Sequence, residues 1–405
     1  MKTKVGIDRI HFYLPPKYVD MGLLAEARGV DPNKYLIGIG QEKMAVTDAT
    51  IDIVSMGLNA AYPIIQEEDK DLIDQVIFAT ESAFDYSKAA ATYLHESLGI
   101  HAFAKSYEIK EACYGATAAL QIACDYVRLR PERKVLVVAS DIARYGLATG
   151  GEPTQGAGAI AMLISKNPSV LALEEDSISL TDNQYDFWRP DYLDYPLVEG
   201  KFSTQLYNQC FIKIMEEAAN KHLDLFDTLK GLCFHLPFSK MGKKALQAYQ
   251  DYLNSKEGSL DPKVVLAFNR WLEVYPDLIQ IGKQVGNIYT GSLYLGLISL
   301  LVNGTALNAG DKLGLFSYGS GAVAELLVGQ LQVDYRKVLK LEDLNKRLAQ
   351  RQELSIEEYE MIFSEKLPND GKTHLLEPSV LPGDFYLTKI DGHRRYYQQY
   401  KTQTD

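Results

Sequence analysis

Between residues 106 and 127 the chain passes from one backbone periodicity to another. Ser106 to Lys110 alternate as a strand does. Gly115, Ala116, Thr117, Ala118 and Ala119, then Leu120, Ile122, Ala123 and Val127, recur as on a helix. The helical run is small on every side, so the expectation is a helix packed tightly all round. A strand that turns sharply into a buried helix is an α/β unit, and the corner residue is Cys113. On the first turn of that helix, unpaired N–H groups and the positive end of the dipole favour thiolate, the nucleophilic form of cysteine. Cysteine is also a small apolar residue, and most free cysteines are core. The corner by itself leaves both readings open.

Composition narrows the classes. With 405 residues, 46% hydrophobic and 23% charged, the chain has material for a large core and two or three units. Four cysteines in such a length (Cys113, Cys124, Cys210 and Cys233) do not make a disulfide framework. No run approaches the roughly 18 apolar residues of a membrane span, and the opening Met1 to Gly6 has no apolar signal segment. A cytoplasmic protein with reduced thiols is expected. A net charge of −11 argues against nucleic acid as a partner, so an anionic ligand would need a local basic patch.

Read in order, Val5 to Tyr13 is a strand and Met21 to Arg28 a short helix. Gly38 to Gly40 is a turn, and residues 49–66 are helical with Asp48 as N-cap. Gln75 to Thr80 and Lys134 to Ser140 are continuous apolar runs of the buried parallel type, ending at Glu81 and Asp141. Residues 86–98 read as a helix. The glycine-rich segment Thr149 to Gly156 leads into a further strand, Ala157 to Ser165. It lacks the Gly-Lys-Ser/Thr ending of a phosphate loop. The second half then repeats the first. Leu232 to His235 answers Ile77 to Glu81, and Val285 to Gly296 answers the Cys113 helix, with Asn287 near its start. Leu313 to Ser317 answers Val135 to Ala139, and Gly319 to Leu327 answers Gly156 to Leu163. Four weak matches in one order indicate a duplication. Two halves about a pseudo-twofold axis, divided near residue 170, would bring Glu81, Cys113, His235 and Asn287 together at strand ends, where α/β sheets usually place their chemistry.

A duplicated α/β chain with a cysteine on its first buried helix resembles the thiolase superfamily, a layered αβαβα fold. Within it, Glu111 to Thr117, Tyr185 to Pro190, Gly286 to Ser292 and Phe316 to Gly321 are similar to the bacterial type of hydroxymethylglutaryl-CoA synthase. The resemblance implies that acetyl-CoA acetylates Cys113 and that Glu81 then removes a methyl proton. The enolate adds to acetoacetyl-CoA, and water frees the product into the mevalonate route to isoprenoids. It implies that His235 polarises acetoacetyl-CoA and moves a proton, that Asn287 donates to an acyl carbonyl, and that amides at Cys113 and near Ser320 form an oxyanion hole. Asp31, Thr154, Ser203, Lys240 and Lys244 match positions that touch CoA. Tyr145, Asp186, Phe187 and Tyr318 fall in acyl-pocket motifs, with Asp141 and Asp186 expected to orient Glu81, His235 or water. CoA thioesters are substrates, and no cofactor or metal is implied. A homodimer is expected by the same analogy.

Plainer roles stand beside these. Glu81 and Asn287 could be caps, His235 a satisfied core histidine, and Cys233 with His235 a pair too few for metal. Cys124, Cys210 and Cys233 are assigned to packing. A thiolase would need a second cysteine near Gly319 to Gly321, and none follows Cys233. A decarboxylating ketoacyl synthase could use Cys113, His235 and Asn287 but has no use for Glu81. An inactive binding subunit is the third alternative. From Val333 onward no chemistry is assigned: 343–363 read as two charged helices, and 391–405 as a polar end that frays.

Overall fold

The computed structural model describes residues 3–339 and 341–401. Most of its strands join one ten-stranded sheet. In the first half, Lys105–Ile109 and Lys134–Ala143 flank Ile73–Ala79 in parallel. Gly156–Lys166 then runs antiparallel to Lys134–Ala143, and Val5–Tyr13 antiparallel to Gly156–Lys166. The second half repeats that sense and order. Leu229–Phe234 lies parallel to Lys312–Gly319, followed by antiparallel Val323–Leu331 and then by Leu171–Leu173 and Ile178–Thr181. Leu171–Leu173 also pairs with Val5–Tyr13, so the halves are hydrogen-bonded into one sheet. The duplication read from weak sequence matches is thus a duplication of topology.

Two helices, Gly115–Leu129 and Ser292–Asn303, form the central layer. The first packs on the strands of the first half while Thr117 Oγ1 reaches Ser317 Oγ in the second, at 2.8 Å. Thr117 Oγ1 also lies 2.9 Å from the Tyr294 hydroxyl, joining the two helices. Their small residues explain the closeness: Ala116, Ala119 and Ala123 are fully buried, and Ser292 to Leu301 are buried on every face. Ile53–Ala61 and Ala91–Ser97 cover the outside of the first half; Gly200–Asn220 and Met241–Glu257 cover the second. The result is a layered αβαβα arrangement. Cys124, Cys210 and Cys233 are buried in its main core.

Several boundaries differ from expectation, each for a local reason. The helix expected over 49–66 is Ile53–Ala61, because Asp52 caps it through Val54 and Ser55 N–H, both at 3.0 Å. Pro63 lies in the 3-10 turn that ends it. Asp48 instead holds Thr50 and pairs with Lys17 at 2.6 Å. The helix expected from 86 begins at Ala91, since Asp85 accepts from Ser87 and Lys88 N–H and fixes a turn there. Residues 285–296 are not one helix: the chain breaks at Gly286 and restarts at Ser292. The C-terminal end expected to fray forms a hairpin, Phe385–Asp391 with Arg394–Gln399. Arg395 and the Tyr397 hydroxyl both bind Asp52 Oδ2 at 2.6 Å. Residues 402–405 lie outside the described part. The two tail helices are found, as Leu341–Ala349 and Ile356–Ser364.

Gly286 combines a φ of +90° with contact so close that an added Cβ would stand 2.0 Å from the Gln155 carbonyl oxygen. That contact seats the Asn287 loop on the first half. Gly286→Ala is therefore expected to cost roughly 3 kcal/mol of stability. Gly258→Ala, also at positive φ (+76°) but in open space, should cost about 1. Thermal unfolding of the two variants checks the difference.

Candidate active site

The site is built where the strand Ile73–Ala79 ends. Asp141, fully buried on the neighbouring strand, organises that end. Its Oδ1 accepts from Thr80 Oγ1 (2.8 Å), Glu81 N–H (2.9 Å) and Ser82 Oγ (2.8 Å). Its Oδ2 accepts from Thr290 N–H (3.1 Å) and the Thr290 hydroxyl, which come from the other half. Asp141 thus orients Glu81 through the backbone, as expected. Burial raises the Asp141 pKa, against the pull of these donors.

Cys113 faces this carboxylate. Its Sγ donates to Glu81 Oε1 at 3.1 Å. It lies just before the helix Gly115–Leu129 rather than on its first turn, after Ala112 with a φ of +39°. The predicted thiolate is corrected by the surroundings. Burial, then the nearby Glu81 charge, raise the Cys113 pKa well above the ordinary thiol value, so the thiol is held protonated. Glu81 is pushed up to about 8, first by burial and next by Asp141; the Cys113 hydrogen bond and Arg189 oppose this. Arg189 also donates to the Glu81 carbonyl at 3.2 Å, a neighbour that the sequence reading left unassigned within Tyr185 to Pro190.

An aromatic wall adjoins the pair. The rings of Tyr145, Phe187 and Tyr289 meet edge to face with centroids 5.9–6.1 Å apart. Tyr289 was not singled out from the sequence, and its φ of +42° is what turns it into the wall. Asn287 is buried, and its Oδ1 accepts from Tyr289 N–H (2.9 Å) and Ser292 Oγ (2.8 Å). The amide Nδ2 is thereby turned toward the Tyr145 hydroxyl, 3.4 Å away.

Among the described residues Asp186 forms no hydrogen bond with Glu81 or His235, two of the three partners expected for it. It accepts from Tyr318 OH (2.8 Å), Ser203 Oγ (3.1 Å) and Gly321 N–H (3.0 Å), and so anchors the turn that carries Ser320. That turn presses on the nucleophile's segment: an added Cβ on Gly319 would stand 2.8 Å from the Tyr114 nitrogen. His235, directly after Leu229–Phe234, corresponds to the Glu81 end of the first half. Its N–H donates to the Phe316 carbonyl (2.8 Å), and its carbonyl accepts from Tyr207 OH (2.8 Å). Burial lowers its pKa to about 3, and Nδ1 is buried without a partner. The imidazole is neutral at working pH.

The remaining candidates sit on other segments. Thr154 ends a 3-10 turn and donates to the Gly151 carbonyl (2.8 Å). Asp31 is exposed and accepts from Asn33 N–H (3.0 Å), leading into a short π-helix, Lys34–Ile39, that Gly40 caps where only a turn at Gly38 to Gly40 was expected. An added Cβ on Gly40 would stand 3.4 Å from Lys240 Cγ, so the Asp31 loop and Lys240 adjoin. Lys244 lies over the Phe238 ring at 4.9 Å. Neither lysine forms an ion pair among the described residues.

A carboxylate raised in the fold opposes folding when charged. With an unfolded value near 4.5 and a folded value of about 8, Glu81 costs stability progressively as pH climbs through that window and no further above it. Glu81→Gln removes the cost. It is expected to raise the melting temperature relative to wild type at pH 9 but not at pH 4, a difference read directly by calorimetry.

The family model for the hydroxymethylglutaryl-coenzyme A synthase N-terminal domain matches residues 1–169, and the C-terminal one matches 173–276 and 264–400. The hydroxymethylglutaryl-CoA synthase of Enterococcus faecalis is 52% identical over 90% of this chain and 93% of its own. The mitochondrial enzyme of Rattus norvegicus is 32% identical over 97% and 89%. A crystal structure of an HMG-CoA synthase complexed with CoA superimposes with a TM-score of 0.91 at 42% identity, covering 98% of this chain and 100% of that one. MvaS in complex with 3-hydroxy-3-methylglutaryl coenzyme A gives 0.88 at 35%, covering 99% and 100%. Family models over most of its length and a relative 52% identical show that the chain belongs to the hydroxymethylglutaryl-CoA synthase family.

Proposed function

We propose that the protein condenses acetyl-CoA with acetoacetyl-CoA and water to give 3-hydroxy-3-methylglutaryl-CoA and free CoA, in the mevalonate route. The observation that carries this reading is the contact between Cys113 Sγ and Glu81 Oε1. A base beside the nucleophile is what proton removal from an acetyl thioester needs, and a decarboxylating synthase has no use for it. Cys113 attacks the acetyl carbonyl while Glu81 takes the thiol proton and passes it to the departing CoA sulfur. Glu81, again a carboxylate, removes a methyl proton from acetyl-Cys113. Its raised basicity suits so weak an acid.

The enolate oxygen is held by the Cys113 and Ser320 amides, while the Asn287 Nδ2 donor serves the acyl carbonyl. The enolate carbon bonds to the acetoacetyl ketone. Neutral His235 polarises that ketone as a hydrogen-bond donor, and the alkoxide that forms takes up the proton that Glu81 removed. Water then cleaves the thioester, releasing the carboxylate and restoring the thiol. Tyr145, Phe187 and Tyr289 bound the acyl space, with Tyr318, Asp186 and Ser203 fixing the turn at Ser320. Lys240 and Lys244, cations without carboxylate partners in an acidic chain, supply charge for CoA phosphates, with Asp31 and Thr154 on neighbouring loops.

Division into halves at 1–170 and 171–405, with an appended tail after about 333, follows the repeated strand order. A homodimer in the cytoplasm, with no nucleic acid partner, completes the proposal. Among the described residues no helix is long and apolar enough to cross a membrane.

Mixing with acetyl-CoA should add one acetyl group to the intact mass, and Cys113→Ser should abolish it. Glu81→Ala should acetylate more slowly, though to the same end point, and lose about 10³-fold or more in condensation. Turnover of that variant on malonyl thioesters would instead make the protein a ketoacyl synthase, and no acetyl adduct on wild type would end the enzyme reading. Because only ionised Glu81 is a base, kcat of wild type should rise with pH and level off above about 8. A stopped-assay pH profile measures it.

A further inference from the structure

The tail helix Ile356–Ser364, to which the sequence assigned no chemistry, reaches the acyl pocket through a chain of buried groups. Ser355 caps the helix in a reciprocal box with Glu358, which fixes its entry, and Tyr359 is buried beneath it. The Tyr359 hydroxyl has two neighbours. It lies 3.2 Å from Glu152 Oε1 and 2.8 Å from Gln155 Nε2.

A carboxylate only accepts, so Tyr359 donates to Glu152 and accepts from Gln155. That order fixes the Gln155 amide. Nε2 faces the tail, and Oε1 is left to accept the Tyr145 N–H at 2.6 Å. The reverse orientation would set NH₂ against N–H. Tyr145 in turn carries its ring against Phe187 and Tyr289 and its hydroxyl toward Asn287. Glu152 is held independently: Arg28 binds both its oxygens at 2.8 Å, and Ala148 N–H donates to Oε2 at 2.9 Å. Gln155, Glu152 and Tyr359 are each at most 3% exposed, so no water competes freely for these bonds.

We infer that Tyr359 is a positioning residue for the condensation, acting through Gln155 to set where Tyr145 stands in the acyl pocket. This rests on the reading of Tyr145 as part of that pocket. The tail is then a component of the site in function, although it lies outside both repeated halves. Losing the hydroxyl frees the Gln155 amide to rotate and releases Tyr145 from its register with Asn287. The acetyl enzyme still forms, but its enolate meets acetoacetyl-CoA in poorer alignment.

The test compares Tyr359→Phe, Gln155→Leu and the double variant in the full-length chain. For each, the fraction of Cys113 that takes an acetyl group is titrated by intact mass. The ratio of condensation to simple hydrolysis of the acetyl enzyme is then measured per titrated site. A purely structural role lowers the number of sites and leaves the ratio alone. Both single variants are expected to lower the ratio about 10-fold, and the double variant no further than Gln155→Leu, because the two act in one chain. An unchanged ratio in Tyr359→Phe, or losses that multiply in the double variant, overturns the inference. Should Tyr359→Phe fail to fold, an unchanged ratio in Gln155→Leu overturns it equally. Wild type that never condenses overturns the functional reading and this one with it; wild type that condenses beside an unaffected Tyr359→Phe overturns this one alone.

Discussion

A buried carboxylate with donors from both halves of the molecule holds the site together. Asp141 gathers Thr80, Glu81 and Ser82 from one half and Thr290 from the other. Among the described residues no cation pairs with it; hydrogen bonds carry its charge or its proton, and each missing donor would leave a buried acceptor exposed to the full cost of desolvation. The strand end, the base that follows it and the loop leading into the second central helix are therefore one unit.

From that unit the electrostatics of the nucleophile follow. Glu81 shares its low-dielectric corner with Asp141 and is raised toward neutrality, and its proximity raises the Cys113 thiol in turn. The dipole argument for a resting thiolate is overruled because desolvation and a neighbouring carboxylate act at closer range than helix-end amides. Cys113 rests as a thiol, so its proton moves to ionised Glu81 during the attack itself. His235, buried at the equivalent strand end of the second half, moves the other way and is kept neutral. Two topologically equivalent positions thus carry opposite chemistries, set by what surrounds them rather than by the repeat.

The strands were legible because buried parallel strands are short apolar runs: those read over 75–80 and 134–140 are found within Ile73–Ala79 and Lys134–Ala143. Helix boundaries were less so, since Asp48 and Asp52 are both good caps and only Lys17, across the fold, decides which one is used. Glu81 was read from the end of a strand, Cys113 and Asn287 from motifs in register, and Tyr145 from the resemblance. Tyr289 and Arg189 sat inside the same motifs unremarked, because their roles depend on a positive φ and on a backbone carbonyl far away in sequence. Asp186 was placed in the right neighbourhood with the wrong neighbours: its partners lie at 203, 318 and 321.

What the sequence determined by itself was the strand–corner–helix around Cys113, the recurrence of the buried strands in the second half, and hence which residue types meet at the strand ends. Those are consequences of local periodicity and side-chain size, which neighbours in the chain settle among themselves. What only the tertiary structure decided was the protonation of Cys113 and Glu81, the direction of each hydrogen bond, and the use of Tyr359 from the tail. Each of these depends on burial and on partners tens to hundreds of residues apart, and no short-range pattern encodes them.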